Sequence, residues 1–233
     1  MKASWVVFGI RLALASMASL LACLPLTGQN PQLQTKNGRR FPTVVFTSVF
    51  WGANPSYYSI AIDSAGTSTY QSAPDSLEKT GVPYSLEFQA SDRTRRTIFN
   101  LVQELEFFSQ PVQQSTVSPE TGSVRTLTYH DIQLNNQITY STSSDPEMQE
   151  ITSVFEEISE TLEYGRRLNY FHGRDMKALA EELKSMQASA DRHHLRELEV
   201  LTPVLNGIAS DRNLDNEVRQ QAEALVKRER VHF

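Results

Sequence analysis

The chain has one cysteine in 233 residues. No internal disulfide can therefore form, and Cys23 lies so close to the N-terminus that a processed chain would carry no thiol catalyst. Histidine is also scarce, five in all, which leaves little material for a metal centre. There is no Gly-x-Ser-x-Gly, His-Glu-x-x-His, Cys-x-x-Cys or Gly-x-x-x-x-Gly-Lys, so the chemistries those motifs announce lose their usual support and no cofactor is implied. A site assembled from distant residues is not excluded by that absence. Basic residues do not cluster either. Arg39-Arg40, Arg95-Arg96 and Arg166-Arg167 are scattered along a chain of formal charge −5, which disfavours nucleic acid and anionic membrane as partners. Beyond Leu26 no apolar run approaches the roughly 20 residues that span a bilayer.

The first 26 residues are different. Lys2 and Arg11 precede an apolar stretch from Leu12 to Leu24, and Pro25 and Gly28 end any helix there. This is the pattern of a secretory signal peptide, expected to cover residues 1–28 with cleavage after Gly28. Leu20-Leu21-Ala22-Cys23 resembles a lipobox, which would instead make Cys23 a lipid-bearing N-terminus. On either path the protein is expected to be exported to the periplasm or beyond, free or as a lipoprotein. Loss of residues 1–28 leaves 20 basic and 27 acidic residues, a charge of −7. No membrane span is expected after that loss.

Residues 29–42 are polar and turn-rich and read as a flexible leader. The hundred residues after them are β-rich. Tyr58, Ile60 and Ile62 alternate with small residues, Asp63-Ser64-Ala65-Gly66 makes a turn, and Thr67 to Gln71 returns as a hairpin. Tyr84, Leu86 and Phe88 continue the alternation. Ser91-Asp92 offers an N-cap before Ile98, Leu101, Val102 and Leu105, spaced for one helix face. A second hairpin is expected around Asn135-Asn136, joining 123–132 to 137–142. Ser144-Asp145-Pro146 then caps a helix whose apolar face is Met148, Ile151, Phe155, Ile158 and Leu162. The recurrence of strands followed by a helix predicts an α+β domain over 43–170, an antiparallel sheet with two helices on one face. After Gly165 the character changes: Gly165 to Gly173 read as a short linker, the alternation is absent from Asp175 onward, and within a helical region 171–233 helices are expected at about 175–190, 192–209 and 215–230.

Few residues stand out as candidates for chemistry. Asp191, His193, His194 and Glu197 would be neighbours on a helix, with His172 or Asp175 as the nearest further ligand. A solvated helix start capped by Asp191 explains them better, so no metal is expected. Tyr129-His130-Asp131 places a histidine beside a carboxylate, but adjacent strand residues point to opposite faces. No catalytic residue is assigned; a hydrolase with a site near His130 is the alternative reading. Trp51, Tyr57 and Tyr58, next to Phe50, form an aromatic group suited to a binding surface.

Two resemblances accompany these readings. Leu198, Leu201, Pro203, Val204, Leu205 and Ile208, the turn Asp211-Arg212-Asn213, and Val218, Arg219, Ala222, Leu225 and Val226 resemble a single HEAT-type repeat. The resemblance implies that valine, alanine and leucine of the second helix pack on the first, and that interior proline marks the first. One unit alone cannot bury both faces, so the segment is read as a helical cap on the β-rich domain. The N-terminal hairpin, with Gly52-x-x-Pro55-x-Tyr57 and Gly66-x-x-x-Tyr70, resembles an uncharacterised exported bacterial domain, and the whole, a β-rich half followed by a helical tail, resembles secreted proteins of soil bacteria such as acidobacteria. That resemblance implies an address but no activity. The combined expectation is an exported envelope protein acting as a non-enzymatic structural or protein-binding module, with an envelope protein as partner.

Overall fold

The computed structural model describes residues 41–73, 82–110, 115–116 and 122–229. The proposed signal peptide, nearly all of the leader and the lipidation candidate Cys23 lie outside the described residues.

Six strands form one antiparallel sheet: β1 (Thr43–Phe50), β2 (Tyr57–Asp63), β3 (Thr67–Ser72), β4 (Tyr84–Gln89), β6 (Ser123–His130) and β7 (Asn135–Tyr140). Their spatial order is β4-β3-β2-β1-β6-β7. Two-residue strands β5 (Ser115–Thr116) and β8 (Thr142–Ser143) pair separately. Helix α1 (Asp92–Glu104) connects the meander β1–β4 to the hairpin β6–β7, and α2 (Pro146–Phe171) follows that hairpin. The protein is α+β, with both helices on one face of the sheet and a helical C-terminal part comprising α3 (Met176–Asp191), α4 (Thr202–Ser210) and α5 (Asn216–Glu229).

Register explains which face is covered. Cross-strand pairing aligns Ile138, Leu127, Phe46, Ile60, Tyr70 and Leu86 in one row across the sheet. These residues pack against Ile98, Leu101 and Val102 of α1 and Met148, Ile151, Phe155 and Ile158 of α2. Phe155 stacks on Phe46 with ring centroids 5.0 Å apart. The β2–β3 turn is fixed by the Asp63 carboxylate, which accepts from Ala65 N and Thr67 N at 2.9 and 2.8 Å. Gly66 there has φ +90°, which L side chains rarely adopt, and a Cβ would lie 3.1 Å from the Ala90 carbonyl oxygen, so the turn favours glycine. Ser91 caps α1 by accepting from Thr94 N, and Asp145 caps α2 by accepting from Met148 N, with Pro146 in its first turn.

Five expectations are corrected. The meander has a fourth strand, β1, which sits at the centre between β2 and β6; its run TVVFTSVF hides the two-residue period because both faces carry valine. The β6–β7 turn falls at 131–134 rather than at Asn135-Asn136. Asp131 Oδ1 accepts from the backbones of Gln133 and Leu134, both at 2.7 Å, so aspartate builds the turn and the asparagines belong to β7. Third, α2 does not stop near Gly165 but runs on to Phe171. Gly165 is a close-approach position, where a Cβ would lie 2.3 Å from Leu201 Cδ2. Fourth, no helix spans 192–209: α3 ends at Asp191, a 3₁₀ turn covers Leu198–Leu201, and α4 begins at Thr202. Pro203 therefore lies in the first turn of α4, where its missing N–H costs nothing, and is not interior. The fifth concerns Asp191, which ends α3 instead of capping a helix start.

The longer α2 has two roles. Its first half closes the sheet's core. Tyr164 and Leu168 belong to a second core with Leu179, Leu183 and Met186 of α3, Leu205 and Ile208 of α4, and Val218, Ala222 and Leu225 of α5. Among the described residues, no helix is long and apolar enough to cross a membrane.

Candidate functional site

The polar end of the sheet's covered face holds the site. One row beyond the apolar row, cross-strand pairing aligns Tyr140, Arg125, Ser48, Tyr58, Ser72 and Tyr84. Facing it, α2 carries a second stripe beside its apolar one: Thr152, Glu156, Ser159 and Glu163, spaced four, three and four residues apart. Tyr140 Oη lies 2.5 Å from Thr152 Oγ1. Arg125 Nε donates to Glu156 Oε1 at 2.9 Å and its Nη1 to the Ser141 carbonyl at 2.6 Å. Tyr70 Oη, reaching up from the apolar row, donates to Glu163 Oε1 at 2.7 Å and lies 3.3 Å from Ser159 Oγ.

Glu163 is buried, and so is Arg166, whose Nη2 donates to Glu163 Oε2 at 2.6 Å. The carboxylate is thus matched by a guanidinium and a phenol, which compensates its desolvation. Burial, the largest cause, raises the phenol pKa values of Tyr58, Tyr70 and Tyr140. Tyr140 is pushed up to about 12. Tyr58 and Tyr70 are raised further, with Glu156 and Glu163 respectively adding to the effect. These phenols stay protonated and serve as hydrogen-bonding groups.

Between this strip and the β1–β2 connection lies a cavity of about 280 Å³. Ser48, Tyr58, Ser123 and Arg125 line its sheet side, Glu156, Ser159, Glu160, Glu163 and Arg167 its helix side, and Phe50, Ala53, Asn54 and Pro55 its mouth. The connection is held by Phe50 N donating to Ser56 O at 2.8 Å, Ala53 N to Phe50 O at 3.1 Å and Trp51 N to Gly122 O at 3.1 Å; the Asn54–Pro55 peptide is cis. On this scaffold Phe50 is 49% and Trp51 60% exposed.

The three aromatic residues singled out from the sequence are divided by this geometry. Tyr58 points into the cavity. Tyr57, its strand neighbour, points to the opposite face of the sheet beside Val49. Trp51 projects from the connection next to Phe50. The sequence reading missed Arg125 and the Thr152–Glu163 stripe, whose only signal was a polar i, i+4, i+7, i+11 series on an otherwise buried helix.

The other candidates lie elsewhere. His130 pairs with Thr43, at the far end of β1 from Ser48, roughly 17 Å away at about 3.4 Å per residue. Asp131 makes no hydrogen bond to it, and the charge of His130 is the least of the influences on that carboxylate. Its oxygens take the Leu134 and Gln133 backbones and the Tyr129 hydroxyl, which hold its carboxyl below the usual range and help push Tyr129, already raised by burial, to about 12. The 191–197 group is dispersed. Asp191 binds Arg228 and Gln187, His193 and His194 are exposed, and Glu197 is buried, accepting from Ser91 N and Ser91 Oγ at 2.8 Å each. That carboxylate sits at the N-terminus of α1, where the helix dipole favours it. His172 pairs with Asp211 at 3.0 Å, and Asp175 caps α3. Among the described residues no three acidic, histidine or cysteine side chains are placed to hold a metal ion.

By fold and site this is an antiparallel α+β layer with a helical extension and a polar, aromatic-mouthed cavity at one end of its sheet. No family model matches the chain, and no curated protein matches it.

Proposed function

We propose that the protein is an exported envelope module that binds a partner through the Phe50–Tyr58 end of its sheet and carries out no chemistry of its own. The observation that carries this reading is a hydrogen-bonded connection that presents Phe50 to solvent at the mouth of a polar cavity, with its chain neighbour Trp51 also exposed. Tyrosine, tryptophan and arginine are the residues that dominate binding hot spots, and a held loop loses little entropy on binding. Arg125, Arg166 and Arg167 each have a carboxylate partner, an arrangement suited to positioning a guest more than to moving protons. The hydrolase alternative around His130 draws no support from this cavity, which lies at the other end of the sheet. A photo-crosslinking residue at position 51, in cells making the full chain, is expected to capture one discrete partner. The same residue at Ile132, which is 83% exposed at the opposite end, is the control. Equal capture from both positions would overturn the reading.

A further inference from the structure

We propose that the cavity receives the cationic side chain of a lysine or arginine carried by the partner polypeptide; this rests on the binding-module reading above and names what that surface recognises. The argument begins with charge. Two arginines line the cavity, and each is already matched: Arg125 by Glu156 at 2.8 Å and Arg167 by Glu182 at 2.7 Å. Arg167 also lies over the Tyr164 ring, 4.9 Å from its centroid. Glu163 is matched by Arg166 at 2.6 Å. Glu160 is the remaining carboxylate in the wall, and its partner is a neutral hydroxyl, Ser189 Oγ, at 2.7 Å. An incoming anion would have to take an arginine from its carboxylate, leaving a glutamate uncompensated in a partly desolvated site. An incoming cation can join Glu160 without breaking any pair.

Shape and chemistry of the mouth agree. A cavity of about 280 Å³ is just below the roughly 300–1,000 Å³ of small-molecule sites, room for one long side chain and little for a cofactor. Phe50, Ala53 and Pro55 at the mouth would cover the methylene stem of lysine or arginine, and Phe50 and Tyr58 add aromatic lining, which suits a cation. A free amine would leave Trp51 unused. A polypeptide carrying the cation would lay its backbone over Phe50 at the opening and reach its exposed chain neighbour Trp51.

The test uses the full chain and acetylated, amidated pentapeptides identical except for a central lysine, arginine, norleucine or glutamate, with cadaverine as a non-peptide amine. Binding is followed by calorimetry and by chemical-shift changes at Ser159 and Tyr58. The lysine and arginine peptides are expected to bind at least about ten-fold more tightly than norleucine, the scale of one charge-assisted hydrogen bond. Glu160→Gln, which keeps an acceptor for Ser189, is expected to remove that preference without moving the thermal midpoint. Glutamate or norleucine binding as well as lysine would overturn the inference, as would cadaverine matching the lysine peptide, or a preference that survives E160Q. If the peptides fail while position 51 still captures a discrete partner, the binding-module reading stands and the cationic guest falls.

Discussion

The two cores of this molecule share one helix and differ in how they end. The sheet core, closed by α1 and the first half of α2, passes within one residue row from Phe46, Ile60 and Tyr70 to Ser48, Tyr58 and Arg125. The helical core around Leu168, Leu183, Leu205 and Leu225 is mostly apolar, with isolated buried polar groups such as Ser189 in place of a continuous row. Tyr164 Oη lies 3.0 Å from Ser185 Oγ at the margin and 3.2 Å from the buried Ser189 Oγ. A sheet aligns every second residue of each strand in rows, so one row of polar choices becomes a polar strip spanning several strands. A helix pair has narrower apolar stripes and closes over them completely. The cavity exists because a polar strip on the sheet meets a polar stripe on α2, a coincidence the helical core never needs.

The sharpest way to break the comparison is to remove one side of it. A chain ending at Phe171 keeps all six strands and both helices over the sheet but strips Tyr164 and Leu168 of every partner from α3, α4 and α5. It is expected to be poorly soluble. Recovery as a monomer with an unchanged melting temperature would show that the helical core is an independent arm. Next in size is Phe155→Ala, expected to cost about 3–5 kcal/mol because the side chain is fully buried and stacked on Phe46. An unchanged denaturation midpoint would remove Phe155 from the core. The smallest effect lies at the shared helix. Glycine to alanine inside a helix ordinarily stabilises by roughly 0.5–1 kcal/mol. At Gly165, where a Cβ would meet the buried Leu201 at 2.3 Å, the sign is expected to reverse, to a loss of about 1–3 kcal/mol from overpacking. A stabilised G165A, read by chemical denaturation, would show that the two cores are less tightly joined at this helix than the close approach implies.

Legibility followed the range of the interaction. The β2–β3 hairpin, both N-caps and the apolar faces of α1 and α2 could be read because each is set by residues a few positions apart. Gly165 was misread as a boundary, since glycine breaks an isolated helix and only Leu201, thirty-six residues on, shows that it is needed for close packing. Glu197 was placed on a helix beside His193 because the spacing allowed it. Its actual partner, Ser91, is 106 residues away, and no periodicity reports such a pairing. The same limit hid the site. Tyr58 was picked out with Trp51 and Tyr57 as one aromatic group, yet its cavity is completed by Arg125 and Glu156, which nothing local links to it.

By itself the sequence determined the α+β class, the period of most strands, the helix starts and the placing of helices after the sheet. Those features follow from backbone sterics, capping hydrogen bonds and the spacing of apolar side chains along one segment. Tertiary structure alone decided that β1 is central, that one helix runs through Gly165 to join both cores, and that a row of the sheet and a stripe of α2 meet at a cavity. Each of these depends on which distant residues come within contact, and that is settled by packing the whole chain at once.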